Sequence, residues 1–233
     1  MDEYLFQHFT QYVERVHAAY DHQTDFRCLA SELGIRVRPG VHNSLVWGQP
    51  PLITLSAAEY GSRQGFSAMH EIAHLLLKEC GAEDELLHHF GSLEDAAPCL
   101  EAWCNHAAGL LLMPAPLLYS VEAEHGLSAS AVLDLHLRGR VSLGAALRRV
   151  VYADPQRHLA GFVSTASRRV SDLAKLNFSL PFWFADALPA AIPAAAEQQK
   201  TFALGGSEGS CVRVPGRGWG VGLLVSAASA GWE

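Results

Sequence analysis

The sequence predicts an α+β fold. Three observations carry that prediction: a helix–strands–helix–helix order over the first 112 residues, two short helical stretches between 127 and 153, and a β-rich texture after residue 155. Tyr4, Phe9, Tyr12, Val13, Val16 and Tyr20, followed by Leu29 and Leu33, give residues 3–33 helical spacing that stops at Gly34. The stretches IRVRP (35–39) and SLVWGQPPLITLS (44–56) alternate apolar and polar residues and are rich in β-branched types, so they read as strands around a turn. A long helix follows from about Gly65 to Cys80, with Phe66, Met69, Ile72, Ala73, Leu76 and Leu77 on its buried side and Gly81 as its stop. The acidic stretch CGAEDELLHH (80–89) reads as a loop. A second long helix is expected from about Leu93 to Leu112, ended by MPAP.

In LSASAVLDLHLRGRVSLGAALRRVVYA (127–153) two short helices meet at RGRVS, with Ser142 as the N-cap of the second. After residue 155, GFVSTA, TFALGG and SCVRVPGRGWGVGLLVSA read as strands, the last a hairpin around PGRG. Between them LPFWFADALPAAIPAAAEQQ is either a helix entered after Pro181 or Pro189 or an irregular segment. Its aromatic run, with Phe178, Phe182, Trp183 and Phe184, reads first as core and second as the wall of a ligand pocket.

Composition narrows the function classes. The chain has 233 residues, 49% of them hydrophobic, enough for one large domain or for one domain with a smaller companion. Residues 1–126 hold 6 lysines and arginines against 17 acids, a net of −11, which is a poor surface for nucleic acid; residues 127–154 hold 4 against 2. The start, MDEYLFQHFT, lacks the basic and apolar regions of a signal peptide, and the longest apolar stretch, AAGLLLMPAPLLY, is short and broken by Pro114 and Pro116. Cys28, Cys80, Cys99, Cys104 and Cys211 are odd in number and without paired spacing. A cytoplasmic protein with reduced thiols and no membrane segment is expected.

The chemistry concentrates in MHEIAHLLL (69–77). Spacing alone decides little, because among 12 histidines in 233 residues a chance HExxH is roughly a few-per-cent event. The setting adds weight. Residues four apart share one helix face, so the rings of His70 and His74 can reach one ion, and both lie in an apolar run where a partnerless imidazole is costly. Glu71 lies beside His70, placed to act as a base towards a metal-activated water without being a ligand itself.

A catalytic zinc needs a third protein ligand and one open position. The extended pattern HExxHxxGxxH fails, since Leu77 fills its glycine slot and Cys80 its third histidine slot. The remaining candidate is Glu101, an acid within the apolar helix CLEAWCNHAAGLLLMP, whose face continues through Asn105 and Ala108; a solvent-exposed glutamate near a helix start is the plainer reading. Glu94 and Asp95 read as an exposed first turn, His88 and His89 as loop residues facing water, and Cys99 with Cys104 as core packing.

RQGFSAMHEIAHLLL followed by EAWCNHAAGLLLMPAPL resembles the ImmA/IrrE family of bacterial metallopeptidases, most closely its IrrE (PprI) branch of radiation- and desiccation-response regulators. Arg63 and Phe66 match that family's Arg-x-x-Phe lead-in; His70, His74 and Glu101 match its metal ligands and Glu71 its base; Asn105 and LLMP at 111–114 fall in register. The resemblance covers roughly residues 25–154. Ala107 departs from it, standing where an aromatic residue is common, and the chain is shorter than the IrrE proteins.

The resemblance implies a zincin-like core over 1–126, a helix-turn-helix-like subdomain over 127–154 and a shortened GAF-like sensor domain over 155–233. It implies Zn²⁺ as cofactor, with Mn²⁺ able to replace it, and a helix-turn-helix (XRE/Cro-type) repressor as protein substrate, whose cleavage switches on a DNA-damage stress response. Arg138, Arg140, Arg148 and Arg149 are the candidates for contact with that substrate or with DNA. A local excess of two charges is slight for DNA, and solvent-facing arginines on a packed helical subdomain are the plainer reading. The alternative function is a non-proteolytic regulator that binds DNA or protein and keeps a vestigial metal site.

Overall fold

The computed structural model describes residues 3–198, 201–216 and 220–226. The chain divides into two compact units, Met1–Pro116 and Leu117–Glu233.

In the first unit, α1 (Glu3–Ala19) buries Phe9 and Val13, one helical turn apart. The helical spacing over residues 3–33 makes two helices rather than one. Asp21 and His22 adopt left-handed φ of 52° and 53°, and Asp25 caps α2 (Phe26–Glu32) by accepting from the amides of Arg27 at 2.8 Å and Cys28 at 3.3 Å. A side-chain cap competes with the helix ladder here, and it outweighs the continuing apolar pattern.

Strands β1 (Arg36–Gly40), β2 (Ser44–Val46) and β3 (Leu52–Ser56) form a sheet ordered β1–β3–β2. Central β3 runs parallel to β1 and antiparallel to β2, and it buries Ile53 and Leu55. The helix α3 (Gly61–Glu79) begins at Gly61 rather than Gly65 and buries Met69, Ile72, Leu76 and Leu77. The stretch read as an acidic loop is a helix, α4 (Ala82–Phe90), set between Gly81 and Gly91 at φ 80° and 79°. Acids in its first turn and His88 and His89 in its last suit the helix dipole, and Leu86 anchors it in the core. Its composition resembles a loop because five of its nine residues are acids or histidines. The helix α5 (Leu93–Leu112) has the predicted bounds, with Ser92 Oγ accepting from the Asp95 amide at 3.2 Å. It packs along α3, and Ala73 and Ala108 are fully buried.

Among the described residues no disulfide forms, and Cys28 is exposed while Cys99, Cys104 and Cys211 are buried. Burial raises the Cys99 and Cys104 thiols and pushes Cys211 up to about 12. In native protein a thiol reagent is therefore expected to label Cys28 quickly and Cys80 more slowly, and the other three only after unfolding. Fast native labelling of Cys104 would mean that the α3–α5 seam opens.

The second unit joins α6 (Ala115–His125), α7 (Ala129–Gly139) and α8 (Leu143–Val151) to an antiparallel sheet. Its strands are β4 (Leu159–Ser164), β5 (Val170–Leu176), β6 (Thr201–Leu204), β7 (Ser207–Arg213) and β8 (Gly220–Ser226), in the order β5–β4–β8–β7–β6. The α7–α8 pair forms as predicted, with Ser142 Oγ accepting from the Ala145 amide at 3.1 Å. The helix α6 and strand β5 were not legible in the sequence. Only Val170 and Ala174 of β5 are buried, so VSDLAKL carries polar residues at positions a fully buried strand would not. The PGRG turn between β7 and β8 lies partly outside the described residues.

One face of this sheet takes α7 and α8; the other takes Phe162, Phe182, Phe202 and Ile192, the last from α9 (Ala191–Gln198). The aromatic run divides. Phe182 packs edge-on to Phe162 at 5.5 Å and Phe178 packs against the same cluster, whereas Trp183 and Phe184 are exposed. Gly161 lets α8 approach: a Cβ there would stand 2.3 Å from Leu147 Cδ1 and 2.9 Å from the Gly222 carbonyl oxygen. Gly161→Ala is therefore expected to cost about 1–3 kcal/mol in urea unfolding. An unchanged midpoint would show that the helix can move away at no cost.

Candidate metal centre

Two helices bring three donor atoms to one point. His70 and His74 lie one turn apart on α3, and their Nε2 atoms are 3.1 Å apart. Glu101 reaches across from α5, with Oε2 3.1 Å from His70 Nε2 and Oε1 3.5 Å from His74 Nε2. The sequence makes this convergence possible through small residues: Ala73, Ala107 and Ala108 are buried, which allows the two helices close approach.

The donor set fits a divalent cation. Two imidazole nitrogens and a carboxylate facing one another hold at most one or two protons to share, whereas a cation there satisfies all three. Ligand atoms about 2.0–2.1 Å from a tetrahedral zinc stand roughly 3.3 Å apart, close to the separations seen. His70 Nδ1 is buried without a hydrogen-bond partner, so its ring is oriented by packing and by what Nε2 binds. Phe66 supplies part of that packing, its ring centroid 6.4 Å from that of His70. For His74, burial first and His70 second lower the imidazole pKa, against an opposing pull from Glu101. The neutral imidazole that results is the ligand form.

Glu71 is 8% exposed and outside the triad. Burial, and then the charge of Glu101, raise its carboxyl to about 7, while the Leu45 backbone amide pulls the other way. A carboxyl near neutrality can both take and return a proton. Glu101 is the most open member, its side chain 57% exposed against 14% for His70 and 27% for His74, so the site faces solvent on the α5 side.

The other residues singled out from sequence are not at this point. His88 and His89 are exposed in the last turn of α4, and Glu94 and Asp95 occupy the first turn of α5. Arg63 is paired with Glu59 at 3.0 Å, and Asn105 is exposed one turn beyond Glu101. In the second unit Arg138 donates to Asp134 and Glu124, and Arg148 donates to Asp172 at 2.6 and 3.0 Å. Arg149 is half-buried, and Arg140 is exposed at the α7 C-cap. Glu124, His125 and Asp134 also gather their donor atoms, but the Arg138 guanidinium already neutralises both carboxylates. That group is an ion-pair knot tying α6 to α7.

An α+β unit with two helices and a histidine–histidine–carboxylate donor set defines the class, a domain of the metallopeptidase type. The chain belongs to the peptidase M78 family, described as the IrrE N-terminal-like domain, which matches residues 30–151. It is 31% identical over 107 residues to the radiation response metalloprotease IrrE of Deinococcus radiodurans, a stretch covering 45% of this chain and 32% of that protein. The matched stretch thus spans about a third of that relative. A Mycobacterium tuberculosis transcriptional regulator shares the fold at a TM-score of 0.55 and 14% identity, over 95% of this chain and 76% of that one.

Proposed function

We propose that this protein is a zinc-dependent, site-specific endopeptidase that cleaves a helix-turn-helix (XRE/Cro-type) repressor in the cytoplasm and so switches on a stress response to DNA damage. The observation that carries the reading is the meeting of His70, His74 and Glu101 with the buried carboxyl of Glu71 beside them. His70, His74 and Glu101 hold the ion, and Mn²⁺ can take its place. Zinc bound there supplies a Lewis acid that polarises a peptide carbonyl and acidifies water. Glu71 takes the proton of the attacking water and returns it to the departing amine, a role its raised pKa supports.

Residues 1–126 carry the chemistry in this reading. Residues 127–154, helix-turn-helix-like, and 155–233, a shortened GAF-like domain, supply contacts remote from the scissile bond, whose binding energy positions one peptide. The net charge of −11 over residues 1–126 favours a basic partner, and DNA-binding repressors carry basic surfaces. Direct DNA binding is disfavoured: α8 buries Leu143, Leu147, Val150 and Val151, and Arg148 is held by Asp172.

A digestion panel tests the reading. The repressor encoded beside this gene, several unrelated repressors and casein are each incubated with zinc-loaded protein, with and without a chelator. One cut in the neighbouring repressor, lost on chelation and regained with Zn²⁺, is expected. Equal cleavage of casein would refute the specificity, and no cleavage of any repressor would refute the function.

A further inference from the structure

Away from the metal centre, the first unit holds a cavity of about 540 Å³. Five of its nine lining residues carry an imidazole, a thiol or a carboxylate: His8, Cys80, Glu85, His88 and His89. Three segments supply them, His8 from α1, Cys80 from the C-cap of α3, and the rest from α4. Glu85 precedes His88 by three residues and His89 by four, so the three share one face of α4. His8, Glu85, His88 and His89 are exposed and Cys80 is half-buried. Among the described residues the side chains of His8, Glu85 and His88 make no hydrogen bond or ion pair. Nothing has to be displaced before they bind, unlike Glu124 and Asp134, which Arg138 already holds.

Charge and donor type decide what such a cavity takes. No lysine or arginine lines it, and residues 79–85 bring Glu79, Glu83, Asp84 and Glu85. Cys80 ends α3, and His88 and His89 occupy the last turn of α4, so the negative ends of two helix dipoles border it as well. A cation is favoured over an anion. Imidazole and thiolate suit zinc and its transition-metal neighbours, whereas calcium and magnesium take oxygen. We infer that this cavity is a second transition-metal site, which takes a zinc-class divalent ion through Cys80, His8 and the His88–His89 pair, with Glu85 beside them. Cys80 Sγ now donates to the Leu77 carbonyl oxygen at 3.2 Å; on binding it gives that proton to solvent and the sulfur to the metal. These donors do not yet meet at one point as His70, His74 and Glu101 do. Ordering the exposed imidazoles costs about ten- to a thousandfold in affinity. The second site therefore fills in free metal and empties on dialysis, while the first keeps its ion.

The test is a Co²⁺ titration of the untagged full chain, since cobalt accepts zinc's ligands and absorbs light. The readout is the thiolate-to-cobalt charge-transfer band in the near ultraviolet. His70, His74 and Glu101 include no thiolate, so that band reports the second site apart from the first. In wild type it is expected to appear after the first equivalent, to grow with about one further cobalt per chain, and to vanish on dialysis. Glu101→Ala should keep the band. Cys80→Ser should abolish it without changing the visible absorption of the first equivalent. His8→Ala, and His88→Ala combined with His89→Ala, should each weaken this binding by about tenfold or more. These side chains are exposed, so the variants should fold. Bound cobalt should also slow thiol labelling of Cys80 by about tenfold and leave Cys28 unaffected. No band at about 1 mM free Co²⁺, a band that survives Cys80→Ser, or unchanged affinity in either histidine variant overturns the inference. Repressor cleavage enters none of these readings, so the outcome stands apart from the proposed function.

Discussion

Glu71→Gln is expected to abolish cleavage of the repressor while leaving metal content and fold intact. The glutamine is close in shape to the residue it replaces, and Glu71 lies outside the donor set, so neither α3 packing nor the three donors should change. What disappears is the capacity to accept a proton from water and to pass it on. General-base contributions of about 10²–10⁴-fold are usual, which in a single-turnover assay reads as no product. The effect on stability should be small and can even be favourable, because a buried carboxyl raised to about 7 by burial and by Glu101 is replaced by a neutral group. Measuring zinc content, melting temperature and cleavage on the same preparation separates the two effects. Activity within tenfold of wild type would falsify the assignment of Glu71 as the base.

Much of the site was legible because helices report their own geometry. The i, i+4 spacing of His70 and His74 fixes their relation whatever the rest of the chain does, and Ser92 and Met113 bounded α5 closely enough to place Glu101 in it. The approach of α5 to α3 was visible at Ala108, which is small and continues the Glu101 face, but not at the buried Ala107, which looks like an ordinary helix former in sequence. The acidic stretch 82–90 misled because its charges favour a helix start by their position, between Gly81 and Gly91, while its composition favours a loop. The attachment of β2 to α3 had no sequence signal. Asn43, Glu59 and Ser67 are far apart in pattern terms, and only the turn of the chain between β1 and β2 and the start of α3 bring them together.

The second unit shows the opposite balance. Its helices α7 and α8 announce themselves through caps and amphipathic spacing, yet the four arginines they contribute could not be assigned from sequence. Two of them, Arg138 and Arg148, are spent on Glu124, Asp134 and Asp172, acids that lie on other elements or one turn away. An arginine count therefore overstates the charge available to a partner. Arg140, exposed at the end of α7, is the one of the four whose reversal to Glu most directly reports contact with a substrate.

His74→Ala and Glu101→Ala are each expected to lose most bound zinc. Each removes one of three donors that stand 3.1–3.5 Å apart, and a site with two protein ligands left competes poorly with water and buffer. The two variants differ in what else they disturb. His74 is partly buried on α3, so its loss leaves a gap beside the core, whereas Glu101 is largely exposed and its loss should leave the apo protein as stable as wild type. The distinction can be read by melting each protein with and without Zn²⁺. Wild type should gain about 2.7 kcal/mol at a hundredfold excess over Kd, because the ion binds only the folded site. Glu101→Ala should start from the same apo melting temperature and gain little. Metal analysis after dialysis gives the second reading, with near one zinc per chain expected for wild type and for Glu71→Gln, and a small fraction of that for both ligand variants. Full occupancy in His74→Ala and in Glu101→Ala together would move the metal elsewhere and with it the chemistry assigned to Glu71.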